Sequence, residues 1–407
     1  MHKYQTIMDN ELFEWLISLR REIHQWPEPA FEEVRTSGKI SEALTHLGIW
    51  HKKGVARTGV VARLESGGPG APTIALRADI DALAVPEKTG LPFRSRVPGY
   101  MHACGHDGHI AILLGAAALL KASPPEGNVV FIFQPAEEGG GGAEAMIEAG
   151  VLDDVDMIFG GHIDGKFPVG KIAIRKDIET SYTTSFEIVI HGKGGHAARP
   201  HEGIDAVVVG SLLVVSLQTI VSRNVNPLKP AVITIGSFHG GAAYNAIADE
   251  AVLRGTIRCT DSKTRNKIVE LIKKMSASVA SLHDAEIEVS INEGYPPVIN
   301  HPEGVRIAAK TAERLLGEEN LILLDQPSMG GEDFSYYLKR VPGCFVRIGT
   351  ARPGEGEIKA HSPSFDFDED VIRIGAIYYA EIVREAISAF RSGKISDRTG
   401  KACKEKC

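Results

Sequence analysis

Cysteine is scarce: five residues in 407, an odd count with no framework spacing. That excludes a small secreted scaffold held together by disulfides, and a reducing cytoplasm is the expected compartment. Met1 to Asn10 lacks the apolar core of a secretory leader. Positive charge is also short. Lys and Arg number 45 against 52 Asp and Glu, a formal net charge of −7, so a general nucleic-acid binder is not expected. The uncharged run Ala206 to Ser222 falls short of the ~20 apolar residues a bilayer-spanning helix needs, and it carries Gln218, Thr219 and three serines. No membrane role is expected. A helix apolar all round is nevertheless covered on both sides, which predicts a second subunit on its outer face. What remains is ordinary for a soluble globular protein, with 43% hydrophobic and 24% charged residues. The length suggests two or three domains, each able to bury its own core. Glycine, at 43 residues, exceeds its usual share of about 7%, and 15 histidines accompany it.

Along the chain, Leu12, Trp15, Leu16 and Leu19 recur at helical spacing until Pro27 and Pro29 break the pattern. Ile40, Leu44 and Leu47 mark a second helix stopped by Gly48. Strands are expected at 59–64, 73–77, 128–133 and 157–159, with a buried helix at 108–121 and another helix at 144–149. Alternating strands and helices imply a mainly parallel sheet flanked by helices. The middle differs. Strand 184–190, helix 203–221, strands 231–238 and 250–260, helix 261–282 and strand 286–291 follow the β-α-β-β-α-β order of a ferredoxin-like fold. After Tyr295 to Pro297, α/β character resumes, with helices at 303–316, 333–338 and 369–390 and a strand at 344–348. The expected fold is therefore an α/β domain interrupted by a ferredoxin-like α+β insert. Its parts are 1–180, the insert 181–293, 294–390, and a basic, solvated tail at 391–407 that includes Cys403 and Cys407.

Two clusters carry chemistry. Met101-His-Ala-Cys-Gly-His-Asp-Gly-His109 packs three histidines, a cysteine and an aspartate between glycines. Thiolate and imidazole are ligands for Zn²⁺ and similar ions, and glycines let a backbone fold tightly around one. Cys104 and His106 are two apart, so an extended loop can present both to one side. The alternative is a turn of hydrogen-bonded histidines. Gln134-Pro-Ala-Glu-Glu-Gly-Gly-Gly-Gly142 follows an apolar strand, where open α/β sheets bind ligands. Two adjacent carboxylates repel unless a cation or a proton resolves them. One as ligand and the other as general base would do so; a solvated acidic loop is the alternative. His162, His361, Asp79 and Asp81 also lie near predicted element ends. The two aspartates could be ligands or could orient a histidine.

Arg-Ala-Asp-Ile-Asp-Ala-Leu, Cys-Gly-His-Asp-Gly-His, Gln-Pro-Ala-Glu-Glu-Gly, Gly-Lys-Gly-Gly-His-Ala-Ala-Arg-Pro-His and His-Ser-Pro occur in that order. Together they resemble the metal-dependent aminoacylase/hippurate hydrolase group of peptidases, which includes N-acyl-amino-acid amidohydrolases and hydrolases of auxin–amino-acid conjugates. The resemblance runs from about Leu19 to Phe390. It implies a catalytic α/β domain interrupted by a ferredoxin-like lid that also dimerises. It implies a centre of two divalent ions, zinc or manganese with cobalt or nickel permitted, held by Cys104, His106, Glu138, His162 and His361. Glu137 matches the general base. His196 matches a residue that polarises the scissile carbonyl, in some members from the partner subunit. Asn245, Arg258 and Gly331 match substrate-binding positions, with Arg258 on the free carboxylate. The implied substrate is a small N-acyl amino acid. Cleavage of dipeptides or acetylated diamino acids at the same centre is the alternative. One stretch departs from the pattern: Ile163-Asp164-Gly165-Lys166 stands where an aromatic or polar residue and a proline are expected, which puts the acyl-side pocket in question.

Overall fold

The structure, a computed structural model, describes residues 7–352, 354, 359–393 and 395. The tail expected over 391–407 lies almost wholly outside the described residues. The chain divides into two compact units. One comprises the chain up to Glu179, Val298–Gln326 and the chain from Asp333 onward; the other comprises Thr180–Pro297 and Pro327–Glu332. Pro327–Glu332, read from sequence as part of the first domain, groups with the second unit.

The first unit contains β1 (Trp50–Val55), β2 (Gly59–Glu65), β3 (Thr73–Asp79), β4 (Asn128–Gln134), β5 (Met157–Pro168), β6 (Ile172–Arg175), β7 (Asp177–Ile178), β14 (Ile299–Asn300), β15 (Leu321–Leu324) and β16 (Gly343–Ala351). Eight form one sheet in the order β1-β2-β4-β3-β5-β16-β6-β15, while β7 and β14 pair separately. The centre, β4-β3-β5-β16, is parallel; β1, β2 and β6 join antiparallel. Every residue of β3 is buried and so is nearly all of β4, as their continuous apolar runs require of central parallel strands. Its helices are α1 (Asn10–His24), α2 (Val34–His46), α3 (His106–Ala122), α4 (Gly142–Glu148), α7 (Pro302–Leu316), α8 (Ser335–Leu338) and α9 (Asp370–Arg391). Asp9 caps α1 by accepting from the Leu12 N–H at 2.8 Å. Phe13, Leu16, Ile17 and Ile23 then form its buried stripe. Helix α3 is apolar all round because the sheet covers one side and α1 and α9 the other. Each fully buried Leu or Ile there contributes roughly 1.5–3 kcal/mol. Strand β5 is much longer than its apolar start, because parallel pairing of Gly160 to Asp164 with β16 holds residues of low strand propensity in line.

The second unit contains β8 (Tyr182–His191), β9 (Gly195–His196), β10 (Ala231–Gly240), β11 (Ala246–Ile247), β12 (Glu250–Cys259) and β13 (Glu286–Glu293), with helices α5 (Ala206–Thr219) and α6 (Ser262–His283). Its main sheet runs β10-β12-β8-β13, antiparallel throughout, and β9 pairs with β11 as a short ribbon. That strand order is ferredoxin-like. Ala206, Val209, Gly210, Leu213 and Leu217 are the buried stripe of α5. Val208, Leu212 and Val215 stand on its exposed side. With the π-helical turn that follows, 206–224 is long and apolar enough, by length and composition alone, to cross a membrane.

Candidate metal centre

The cysteine- and histidine-rich loop ends at the first turn of α3. Gly105 makes the bend with φ +85°, a conformation that favours glycine, and a Cβ there would meet Ile163 Cδ1 at 2.3 Å. The bend leaves Cys104 in the loop and His106 on the helix. His162 comes from β5. His361 has φ +63°, and its N–H donates to the Ala103 carbonyl at 2.8 Å, which anchors it to the Cys104 loop. Backbone strain of that kind is held in place by its surroundings.

The donor atoms gather in two trios that share Cys104. One is Cys104, His106 and His162; the other is Cys104, Glu138 and His361; in each the donors lie within 4.8 Å of one another. Cys104 Sγ is 3.1 Å from His162 Nε2, and His361 Nε2 is 3.2 Å from a Glu138 oxygen. The imidazole protons are placed by acceptors behind them. His106 Nδ1 faces the Asp81 carbonyl at 2.9 Å and its carboxylate at 3.2 Å. His162 Nδ1 faces the Ile163 carbonyl at 2.6 Å. Both rings are therefore held at Nδ1 and turn Nε2 toward Cys104, as metal-ligating histidines do. The buried His106 Nε2 has no hydrogen-bond partner. This donor set fits a pair of divalent ions with N, S and O ligands.

The aspartates orient their neighbours. Asp81 fixes His106 and also accepts from the Glu138 N–H at 3.0 Å. Asp79 pairs with Arg77 at 2.6 Å and with His109 Nδ1 at 2.5 Å. His109 Nε2 in turn accepts from the Ile163 N–H at 3.0 Å, so the ring clamps the backbone beside His162. The Ile163–Lys166 departure thus lies on β5 with Ile163 fixed from behind. Arg77 is fully buried and also bonds Gln134 at 2.8 Å and Asp333 at 2.8 Å, which ties the ends of β3 and β4 together. Glu137, buried, shares a third trio with His106 and Glu138. So of the three histidines in the first cluster only His106 joins Cys104. His102 is buried and pushed down to about 3 by that burial, which leaves it neutral.

The protein electrostatics suit a cation. Burial opposes a charged His106, yet Asp79, Asp81 and Glu138 outweigh it and push its pKa up to about 10. Burial, then Glu138 and Glu137, push the Cys104 thiol well up. The hydrogen bond to Glu138 raises His361. Negative charge here is in excess, which is the condition that favours a bound cation.

Sequence reasoning missed the support from α1. Arg20, fully buried, pairs with Asp107 at 2.7 Å and Glu369 at 3.2 Å, and its guanidinium lies 4.2 Å over the Phe367 ring. His24 Nδ1 reaches the same Asp107 oxygen at 2.8 Å. Burial favours a neutral Asp107, but Arg20 and His24 outweigh it and hold its carboxyl well below the usual carboxylate range. A buried arginine on an otherwise apolar helix stripe was the available signal. The remaining predicted residues lie in the second unit as two pairs. His196 on β9 is exposed, with Nδ1 accepting from the Ala198 N–H at 3.1 Å, and the Ala197 N–H donates to the Asn245 carbonyl at 3.2 Å. Arg258 on β12 lies beside Gly331: a Cβ there would stand 3.4 Å from Arg258 Nη1 and 2.3 Å from Thr183 Cγ2.

Comparison with known proteins places this geometry. The profile of peptidase family M20/M25/M40 matches residues 75–385. Thermostable carboxypeptidase 1 of Saccharolobus solfataricus is 40% identical over 377 residues, covering 91% of this chain and 95% of that protein. N-acetyl-L-cysteine deacetylase of Bacillus subtilis is 40% identical over 385 residues, covering 94% and 90%. The crystal structure of a dinuclear metal-binding peptidase of the M20 family from Bacillus subtilis superposes with a TM-score of 0.80 at 35% identity, covering 93% of this chain and 99% of that one. The chain therefore belongs to peptidase family M20/M25/M40 and is a metal-dependent amide hydrolase.

Proposed function

We propose that this chain hydrolyses the amide bond of small N-acyl amino acids, hippurate-like or similar, and releases the amino acid. The observation that carries this reading is Arg258. It is half-buried, burial lowers its pKa, and it has no acidic partner among the described residues. A desolvated guanidinium without a counter-charge is a site for an anion, and it grips a carboxylate bidentately. Gly331 beside it leaves room for that carboxylate, and Asn245 serves the substrate backbone.

Two divalent ions on the two trios, when bound, supply the positive charge that makes a water acidic near neutral pH. Zinc or manganese suits the donors, with cobalt or nickel also accommodated. Glu137 removes the water proton and delivers it to the departing amine nitrogen. His196 accepts at Nδ1, so Nε2 carries the hydrogen it donates to the developing oxyanion. The second unit acts as a lid that excludes water. Its exposed Val208, Leu212 and Val215 meet a second copy of the chain rather than lipid, which makes a homodimer, and sedimentation as a monomer at micromolar concentration would remove that part of the reading.

The test is a metal-loaded screen of N-acyl amino acids beside the same compounds with the carboxylate converted to an amide. A loss of about 10²-fold in kcat/KM on amidation is expected if Arg258 binds the carboxylate. Equal turnover of acid and amide overturns the reading. Identity with a carboxypeptidase favours a second reading, cleavage of dipeptides or acetylated diamino acids at the same centre. Preferential turnover of those substrates in the same screen would select it.

A further inference from the structure

We infer that Glu33 is a positioning residue for the loop that carries the general base. Glu33 lies immediately before α2 and is completely buried. It does not cap its own helix. Glu28 takes that role, accepting from the backbone N–H groups of Arg35 at 2.9 Å and Thr36 at 2.8 Å. The Glu33 carboxylate points elsewhere: one oxygen accepts from the Ala136 N–H at 2.9 Å and the other from the Thr58 hydroxyl.

Ala136 is the residue before Glu137. It is buried and has φ +55°, a conformation that alanine adopts only when its surroundings impose it. Both of its backbone groups are taken, the N–H by Glu33 and the carbonyl by the Gly142 N–H at 3.1 Å. Two residues on, the Glu138 N–H is held by Asp81 at 3.0 Å. Residues 136–138 are therefore gripped at both ends by buried carboxylates. The strained turn at Ala136 carries the chain out of β4 and sets the direction in which Glu137 leaves it. Without Glu33, a buried N–H loses its partner at the residue whose conformation is least favourable by itself. The family profile begins at residue 75, so Glu33 acts from outside the matched region.

The inference rests on Glu137 as the base, and the experiment separates the two. The full-length, metal-loaded chain is compared with Glu33→Ala, Glu33→Asp and Glu33→Gln. The readouts are kcat, KM, metal content, and hydrogen–deuterium exchange of the segment 134–142. Glu33→Ala is expected to lower kcat at least tenfold with KM and metal content unchanged, and to speed exchange at 136–138 at least tenfold. Glu33→Asp, one methylene short, gives the same pattern and carries the test if the alanine variant does not fold. Glu33→Gln keeps a carbonyl for the Ala136 N–H and an amide for Thr58, so it stays within threefold of the parent in both readouts. Unchanged exchange and kcat in both the alanine and aspartate variants overturn the inference, as does failure of the glutamine variant to rescue. Full activity of Glu137→Gln, with exchange still accelerated by Glu33→Ala, would instead overturn the base assignment and leave the positioning role standing.

Discussion

The two units hold their chemistry in opposite ways. In the first, Cys104 and His106 are buried, His162 and Glu138 are half-buried, and the exposed His361 is anchored through its N–H; the rings are backed by partners, Asp81 behind His106 and the Ile163 carbonyl behind His162, with His109 behind the backbone at 163. In the second, His196 is exposed with a single local hydrogen bond, and Tyr244, next to Asn245, is 101% exposed. A centre that holds ions must be preorganised, because misplaced ligands forfeit affinity and activity. Groups that meet the substrate can stay mobile and be ordered by it. The difference teaches which substitutions should act through the metal and which through the substrate.

The sharpest test of that division is Glu137→Gln. It should lower kcat by about 10³-fold or more while metal content stays near about two ions per chain. Retained activity would erase the distinction between base and ligand. Cys104→Ser comes next. Because Cys104 belongs to both trios, metal analysis should show loss from both positions, whereas His361→Ala should cost only about one ion. Equal loss in the two variants would mean that the trios do not act separately. In the second unit His196→Ala should lower kcat by about 10²-fold with metal content unchanged; a fall in bound metal would break the comparison. The mildest effect is expected for Arg258→Lys, a rise in KM of about tenfold with little change in kcat, measured on a free-carboxylate substrate. Metal uptake itself should strengthen with pH. His106 and the Cys104 thiol both hold their protons above the usual range, so binding must displace them, and titration should show affinity rising by about tenfold per pH unit for each proton released.

The sequence made the central elements readable, because β3, β4 and α3 are apolar runs whose length and punctuation leave little choice. It also made Cys104, His106 and the Glu137–Glu138 pair readable as clusters. Assigning His162 and His361 depended on the resemblance, since each stands alone in sequence. What was hidden is the support. Arg20 meets Glu369 across 349 positions and Arg77 meets Asp333 across 256, and no local pattern encodes such a pairing. Glu33 belongs to no motif, and its partners Thr58 and Ala136 lie 25 and 103 positions away. Within the first cluster the spacing pairs His106 with Cys104, while the neighbours of the other two rings separate a clamp, His109, from a neutral core residue, His102. Strand β5 was cut short because glycine, aspartate and lysine carry little strand preference, and its partner β16 is supplied from far along the chain.

The contact of Arg20 with Asp107 and Glu369 has a consequence in time. Synthesis proceeds at about 5–20 residues per second, and domains form as they emerge. Here Cys104 and His106 leave the ribosome long before His361, and the second unit is made in between. A nascent chain can form most of the sheet, but it cannot close the second trio until His361 has emerged, or the Arg20–Glu369 pair until Glu369 has. Filling the second trio with an ion therefore waits for most of the chain, and a chain truncated before His361 should be unable to retain that ion.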